Sequence, residues 1–450
     1  MTDAAEVPQR RLSVVHLTLL IPWVVAVIGA WQEIEDNSFL WHVRAGTLQG
    51  DHGAVLTEDP FSFTMLGESW RTQSWLAELG YGWAEGLFGL DFVPYLLLMT
   101  TLLVFTGVGL IAFRKSSSVT STALVIVLGV FVLVSFLAPR PVILSYLLMT
   151  LVILAWDRVG MRWALPFLFW IWASVHASFV IGLAFVALSL IMDRRWRQIP
   201  TLVLSGLVTL ATAHGVGVVG YLLHFQKNSD ALQYLTEWRS PSLEDPIFLA
   251  FLASVAMIVV GAFRGRIRSR HLWIVVPFLI LGMSSVRAMP IAWLSLVPLM
   301  AASVEGLEWR PGSSQSWVVT GITAGVIIVL PFFLTSRGGL STTRFPIEAA
   351  NQLDSVRTFH DDVVGGYLIW DQGPQRLVYV DDRAELYGDR LGELVALRQG
   401  EVDWTTVFER DGIEQVLLRR DEPLVQDLEE GGWVVSYEDE NFTILKPTKA

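Results

Sequence analysis

One short stretch, EIEDNSFLWHVRAG, concentrates groups that can do chemistry directly after an apolar run. It runs from Glu33 to Gly46 and holds acids, large aromatic rings, His42 and Arg44. Such groups can accept a proton or bind an anion, and their crowding favours a catalytic role for Asp36. The same residue could instead cap the helix that follows, because Asp is a favoured N-cap residue.

The composition places this stretch in a membrane protein. Hydrophobic residues make up 53% of the chain and charged residues only 17%. The mean hydropathy of +0.50 is also far from that of a soluble domain. Repeated apolar runs are long enough to cross roughly 30 Å of hydrocarbon, which takes about 20 helical residues. The sequence therefore predicts a polytopic α-helical membrane protein. It has no cysteine, which excludes disulfides and thiolate chemistry.

The apolar runs predict about eleven transmembrane helices. They lie near residues 13–30, 93–113, 119–138, 141–157, 163–175, 177–192, 199–219, 246–263, 271–286, 289–304 and 316–334. Short cytoplasmic loops are enriched in Lys and Arg, and a cytoplasmic N-terminus puts every basic cluster between helices on that side. Residues 163–192 could form one helix or two around SVHAS. Only two helices keep both DRRWR and RGRIRSR inside, so we predict a hairpin there.

This topology divides the chain into three parts. Residues 1–12 form a cytoplasmic tail, residues 13–334 a transmembrane domain with an outer loop at 31–92, and residues 335–450 an extracytoplasmic domain. The net charge of −11 comes mainly from the C-terminal part, where a solvated acidic surface is the simplest explanation. No nucleic-acid partner is predicted.

Several unusual polar residues fall on the predicted outer face. They are Arg140 in APRP, His176 in SVHAS, Glu237 in YLTEWRSPSLEDP and Arg287 in SSVRAMP. An arginine within a membrane costs about 2.5 to 3.5 kcal/mol on insertion scales, and one at a helix end can reach the interface. Two arginines and a histidine beside an acidic loop favour the alternative, an anion site, because the guanidinium fork suits phosphate.

The outer loop has local patterns of its own. DNSFLWHVRAGTLQG and WLAELGYGWAEGLFGL predict amphipathic helices lying on the membrane surface. Between them, Asp59 and Pro60 predict a turn that is followed by a short alternating strand.

The C-terminal domain alternates helix-like and strand-like segments, which predicts a small α/β fold with a partly parallel sheet. PIEAANQLDSV, RLGELVALRQG and EPLVQDLEE are helix-like, RLVYV and IEQVLLRR are strand-like, and WVVSYEDENFTILKP predicts a hairpin. Asp381, Asp382 and Arg383 follow RLVYV, at a strand end where α/β sheets commonly place ligands. They could bind an acceptor. We favour the alternative, a salt-bridge cluster that ties the domain to the outer loop.

The order of several motifs resembles a widespread bacterial family of GT-C-type membrane proteins. That family carries D-x-D-x-W-W-H-L-x-x-G, then D-P-F-S, a tryptophan and W-L-x-E. This chain has DNSFLWHVRAG, EDPFSFT and SWLAELGYGWAEGLFG in the same order. Further similar segments are APRPVILSYLL, WIWASVHASFVIGL, TEWRSPS, SSVRAMPIAWLSLVPLM and GGYLIWDQGPQRLVYVDDRAELYG. The resemblance covers nearly the whole chain.

The resemblance implies a GT-C-like glycosyltransferase in the bacterial cell membrane. Such enzymes typically move a sugar from polyprenyl phosphate to an acceptor on the outer face with inversion, and an outer-loop acid takes the acceptor's proton. Asp36 matches the family's first Asp, Ser38 replaces the second, and Glu35 could partly substitute. The resemblance makes Asp36, Glu35 and Asp59 catalytic candidates. It makes His42, Arg140, His176, Glu237, Arg287, Asp381, Asp382 and Arg383 candidates for substrate binding.

Cofactor and partners follow from the same resemblance. A divalent cation is conceivable, but Ser38 weakens a paired-carboxylate metal site, and no HxxxH spacing supports zinc. The expected partners are a polyprenyl-phosphate-linked sugar, membrane lipids, and an acceptor that could be a glycan, a lipid or a protein. The alternative function is a non-catalytic lipid-carrier binding, flippase or assembly protein, which the missing second Asp supports. A transporter is less favoured, because the spans show no inverted repeat.

Overall fold

The computed structural model describes residues 14–218, 220, 239–308, 317–334 and 338–448. Its first part is built from apolar helices, and its last part combines short helices with a sheet. The helices that precede residue 335 are α1 (Val14–Thr18), α2 (Ile21–Ala30), α3 (Asn37–His52), α4 (Trp75–Phe88), α5 (Phe92–Ser116), α6 (Val119–Leu133), α7 (Val142–Asp157), α8 (Leu165–Val175), α9 (Phe179–Asp193), α10 (Ile199–Val208), α11 (Pro246–Phe263), α12 (Leu272–Ser284), α13 (Met289–Ser303) and α14 (Trp317–Leu334).

Apolar helices occur at each predicted span, and this supports a multi-pass membrane protein. In the described part of the chain, four helical stretches are long and apolar enough to cross a membrane: Trp75–Ser116, Val119–Phe136, Pro246–Phe263 and Val286–Ser303. The total of eleven spans stays a prediction. The span predicted at 199–219 is too long, because α10 ends at Val208 and turns follow it.

The segment around SVHAS joins two helices, α8 and α9, which run in opposite directions. The chain leaves α8 at His176 in an extended conformation, and α9 begins at Phe179. Arg162 before α8 and Arg195 after α9 both donate to the carbonyl oxygen of Trp156, at 2.9 and 3.3 Å. Both outer ends therefore meet at one place, which confirms the predicted hairpin.

Basic residues gather at this end of the helical bundle, which we call the basic end. It is defined by Lys115, Arg162, Arg195 and Arg266. Lys115 pairs with Asp157 at 2.5 Å, and Arg266 donates to the carbonyl of Ser303. The outer loop and the C-terminal domain lie at the opposite end, which we call the domain end. The basic residues thus gather at the end of the bundle opposite the C-terminal domain, which is the charge pattern from which the topology was predicted.

In the outer loop, helix α3 is enclosed by other elements. Asp36 caps it, and its buried face includes polar Asn37, Ser38 and Gln49. A Cβ added to Gly46 would lie 1.7 Å from the carbonyl oxygen of Glu78 on α4, so the two helices touch backbone to backbone. The prediction of a helix is confirmed, but α3 does not lie on a surface, because α4 and the C-terminal domain cover it.

The strand predicted after Asp59-Pro60 is wrong. The segment between α3 and α4 makes only isolated bridges, pairing Glu58 with Ser69 and Ser62 with Val378. The second bridge belongs to the segment RLVYV, which is likewise no strand of the C-terminal sheet. Its backbone pairs with the outer loop instead: Phe63 donates to the Val378 carbonyl, and the Val378 N–H donates to Phe61.

The C-terminal domain is a four-stranded sheet with helices packed on it. Its order is β1-β2-β4-β3, with β1 parallel to β2 and the other neighbours antiparallel, so the partly parallel sheet is confirmed. The elements are α15 (Ile347–Ala350), β1 (Thr358–Phe359), α16 (Asp362–Gln372), α17 (Ala384–Tyr387), α18 (Asp389–Arg398), α19 (Trp404–Asp411), β2 (Gln415–Arg419), α20 (Pro423–Glu430), β3 (Trp433–Glu438) and β4 (Phe442–Pro447). The helix predicted in PIEAANQLDSV is only the short α15, and α16 was not predicted.

We expect Gly46→Ala to destabilise the protein by about 1 to 3 kcal/mol, because the new methyl group would overlap backbone atoms of α4 that cannot rotate away. Gly50→Ala is the matched control. Gly50 lies on the same helix with open space around it, so alanine there should stabilise by about 0.5 to 1 kcal/mol through its better helix propensity. Thermal unfolding of the detergent-solubilised protein measures both changes. Equal melting temperatures for the two variants would contradict the close α3–α4 contact.

Candidate functional site

The site forms around the N-terminal turns of α3. Asp36 is the N-cap residue, and its Oδ1 accepts the backbone N–H of Phe39 at 2.9 Å. Its Oδ2 accepts Nε of Arg140, which precedes α7, at 2.5 Å. The exposed fractions are 11% for the Asp36 side chain and 18% for that of Arg140. The capping role is therefore confirmed, and the same carboxylate joins the outer loop to the helical bundle.

Asp382 of the C-terminal domain reaches the same helix. Ser38 Oγ donates to Asp382 Oδ2, and Trp41 Nε1 donates to Oδ1 at 2.7 Å. Burial raises the pKa of Asp382, and neighbouring carboxylates add to that shift, while Arg140 and the Ser38 hydrogen bond oppose it. A carboxylate from a distant part of the chain thus stands beside Ser38.

A buried ion cluster ties the C-terminal domain to the outer loop. Arg383 pairs with Asp381 at 2.7 Å and with Asp59 at 2.8 Å, and none of the three side chains is exposed. Asp59 also accepts the backbone N–H groups of Phe61 and Ser62. Substrate or catalytic roles for these three charged residues stay predictions, and their burial argues against them. These contacts form the salt-bridge cluster between the C-terminal domain and the outer loop that was favoured from the sequence.

Aromatic rings surround the same guanidinium. The Arg383 Cζ lies 4.5 Å from the ring centroid of Trp70 and 5.3 Å from that of Phe61. Tyr387 donates its hydroxyl to Asp381 at 2.7 Å. These rings exclude water from the cluster, and a dry site strengthens the ion pairs.

His42 is held by a carboxylate that was not among the predicted site residues. Its Nδ1 lies 2.8 Å from Oε1 of Glu78, whose side chain is fully buried. Gln49 donates to Glu78 Oε2 at 2.7 Å, and Thr72 donates to Oε1. Glu78 is the acid of the W-L-x-E stretch, so the motif contained it, but no local pattern showed that it would face His42.

His176 and Arg287 lie close to each other at the domain end. Burial lowers the pKa of His176 to about 3, and the nearby Arg287 and His42 contribute to that shift. The imidazole is therefore neutral at physiological pH, and Ser178 donates its backbone N–H to Nδ1. The structure thus brings His42, His176 and Arg287 into one electrostatic neighbourhood.

Two candidates stand apart from this arrangement. Glu35 is exposed to solvent. Glu237 lies outside the described residues. Within the described ranges, no group of three or more His, Asp or Glu side chains could hold a metal ion. The divalent cation therefore rests on the resemblance alone.

Comparisons with known proteins give a distant likeness. No protein-family model matches the chain, and no curated protein matches it significantly. Among solved structures, the chain is similar to ArnT from Cupriavidus metallidurans, crystallised bound to undecaprenyl phosphate, with 13% identity and a TM-score of 0.49. The match covers 96% of this chain and 97% of that one. A TM-score below 0.5 is too low for us to infer a shared fold from it.

The Arg383 cluster gives a test of stability. Arg383→Met leaves two carboxylates buried without their cation, and we expect a loss of about 3 to 5 kcal/mol. Arg420→Met is the control, because Arg420 pairs with Glu438 at the surface, where such pairs are worth about 0 to 1 kcal/mol. Thermal unfolding measures both. A melting temperature for Arg383→Met equal to that of the control would show that the cluster is not a stabilising tie.

Asp362, at the start of α16, gives a test of pH dependence. Burial raises its pKa to about 7 from a usual value of 3.8, and the charges of Asp361 and Asp382 add to this. The folded protein therefore holds a proton that the unfolded chain has lost, so this contribution to stability falls as pH rises from about 4 to 7.

We expect Asp362→Asn to raise the melting temperature more at pH 8 than at pH 5, because asparagine mimics the protonated acid. Asp371→Asn, at an exposed position on the same helix, should change it by a similar small amount at both pH values. An equal gain for Asp362→Asn at both pH values would contradict the raised pKa.

Proposed function

We propose that this protein transfers a sugar from a polyprenyl-phosphate donor to an acceptor at the outer surface of a bacterial membrane. Three observations support the proposal: the apolar helices, the ordered motifs that resemble GT-C-type proteins, and the ionisable groups gathered at the domain end. The N-terminus and the basic end would then be cytoplasmic, and the C-terminal domain extracytoplasmic.

The ion pair of Asp36 and Arg140 carries the proposal. Arg140 stands immediately before the apolar helix α7, and with the domain end at the outer surface it would lie near the phosphate of a membrane-bound polyprenyl donor. A guanidinium there can stabilise the charge that develops on the leaving phosphate, and a charge-assisted hydrogen bond is worth about 1.5 to 3 kcal/mol. Arg287, beside His176, would be the second cation near that phosphate.

The position of Asp36 suggests two roles. It can take the acceptor's proton, as the resembling family implies, or it can hold Arg140 in place for the donor. Both of its oxygens already accept hydrogen bonds, one of them from Arg140 itself. We therefore assign Asp36 the placement of Arg140.

We expect Arg140→Gln to lower the rate of sugar transfer on the order of 100-fold, as for loss of one group that stabilises developing negative charge. Arg158→Gln is the matched control, because Arg158 follows the opposite end of the same helix and is exposed. The measurement is transfer of radiolabelled sugar from polyprenyl-phosphate donors by the purified protein. Equal losses in both variants, or a loss only with Arg158→Gln, would contradict the placement of the donor at the domain end.

Asp36→Asn separates the two roles of Asp36, because asparagine keeps the N-cap and removes the charge. Loss of a base would lower kcat by about 100-fold or more with little change in the donor KM. Loss of the partner of Arg140 would instead appear mainly as a higher donor KM, and that is the result we expect.

A non-catalytic lipid-carrier protein is the second candidate. The observation that favours it is Ser38, which leaves the outer loop without the second carboxylate of the resembling motif. Such a protein would bind polyprenyl phosphate in a mass-spectrometric or fluorescence assay and would release no sugar from any polyprenyl-phosphate sugar.

A further inference from the structure

The fully buried carboxylate of Glu78 needs an explanation. Taking a carboxylate out of water is unfavourable unless hydrogen bonds replace its hydration. Three side chains donate to it, Gln49, Thr72 and His42. Gln49 and Thr72 come from neighbouring segments of the outer loop. Hydrogen bonds from these two side chains replace the hydration of the carboxylate and give it no role in proton transfer. The third is an imidazole, which can also carry a proton.

The contact with Glu78 fixes the tautomer of His42. An ionised carboxylate can only accept a hydrogen bond, so Nδ1 of His42 is the donor, and in the neutral imidazole the lone pair is then on Nε2. Nε2 has no hydrogen-bond partner among the described residues, and the side chain keeps 12% of its surface exposed. The histidine is therefore held on one side and open on the other.

The surroundings of His42 keep its ring in this position. The Trp41 ring lies against it, with centroids 3.6 Å apart, and Trp41 in turn donates to Asp382. His42 and Arg287 both contribute to the lowered pKa of His176, so both residues lie in the neighbourhood of His176. This is where the proposed function puts the donor phosphate.

Asp36 has structural contacts on both of its oxygens. Its Oδ1 serves the helix cap and its Oδ2 the ion pair with Arg140, so protonation would replace the ionised partner of Arg140 with a neutral acid. His42 can take a proton on Nε2 without losing its hydrogen bond to Glu78. The resulting imidazolium would lie against a carboxylate, which stabilises it.

We propose that His42 accepts the acceptor's proton during sugar transfer and that Glu78 is the positioning residue that orients it. The inference rests on the proposed function. In this step the acceptor's hydroxyl oxygen forms a bond to the anomeric carbon as the bond from that carbon to the phosphate oxygen breaks. The electron pair leaves with polyprenyl phosphate, and the hydroxyl proton passes to Nε2 of His42.

Kinetics of paired variants test the step. We expect His42→Asn to lower kcat for transfer by about 100-fold or more, and Glu78→Gln to lower it on the order of 100-fold, each with little change in the donor KM. His52→Asn and Glu85→Gln are the controls on the same two helices. His52 is exposed and Glu85 partly exposed, and both variants should keep the parental rate. Thermal unfolding identifies any variant that has lost its fold.

A measurement of the tautomer is independent of activity and needs no variant to be active. In full-length protein labelled with ¹⁵N-histidine, we expect the neutral form of His42 to be the tautomer protonated on Nδ1, and Glu78→Gln to disturb this preference. The His42 signal is assigned by its loss in His42→Asn. If the contact between Glu78 and His42 only stabilised the fold, the tautomer of His42 would not affect kcat.

The outcomes separate the two proposals. An Nε2-protonated tautomer, or full-rate transfer by His42→Asn, overturns the role of His42 and leaves the proposed function standing. Absence of transfer by the unaltered protein overturns the proposed function, and the proton-transfer step with it, whatever the tautomer. The expected tautomer together with a kcat loss in both the His42 and Glu78 variants supports the inference.

Discussion

The buried guanidinium of Arg383 is the constraint on which the domain end depends. It lies between a carboxylate of its own domain, Asp381, and one of the outer loop, Asp59, and none of the three is exposed. Removing charges from water costs several kcal/mol per ion, and only close pairing and further hydrogen bonds offset that cost. Neither segment can supply both carboxylates. The outer loop and the C-terminal domain must therefore dock together for either to bury its charge.

This docking gives α3 a different partner on each side. Successive residues of a helix point about 100° apart, so the first turns direct Ser38 and Trp41 toward one element and His42 toward another. Ser38 and Trp41 meet Asp382 of the C-terminal domain, and His42 meets Glu78 on α4. Asp36, just before the helix, meets Arg140 of the helical bundle. One short helix thus joins three parts of the chain, and a shift of any of them would move the candidate site.

Structural features that depend on neighbouring residues could be predicted from the sequence, but the pairing of distant segments could not. Apolar runs gave the helices, charge counting gave the hairpin around His176, and the Asp36 cap followed from a preference that acts over three residues. The segment RLVYV was interpreted as a strand because it is short and apolar, yet its Val378 pairs with Ser62. Nothing in one sequence says which distant backbone will complete such a bridge. Glu78 was missed for the same reason, since its burial depends on how α4 packs against α3.

Two arginine–carboxylate pairs at the domain end differ in what they can do. A guanidinium has five N–H donors. Around Arg383 they lie among aromatic rings and buried acids, where an incoming anion would have to displace the contacts that hold two segments together. Arg140 gives Nε to Asp36 and keeps 18% of its side chain exposed beside the end of an apolar helix. Under the proposed function, the donor's phosphate would meet the partly exposed Arg140 rather than the buried Arg383. Exposure therefore distinguishes the pair assigned to the substrate in that proposal from the pair that is entirely buried.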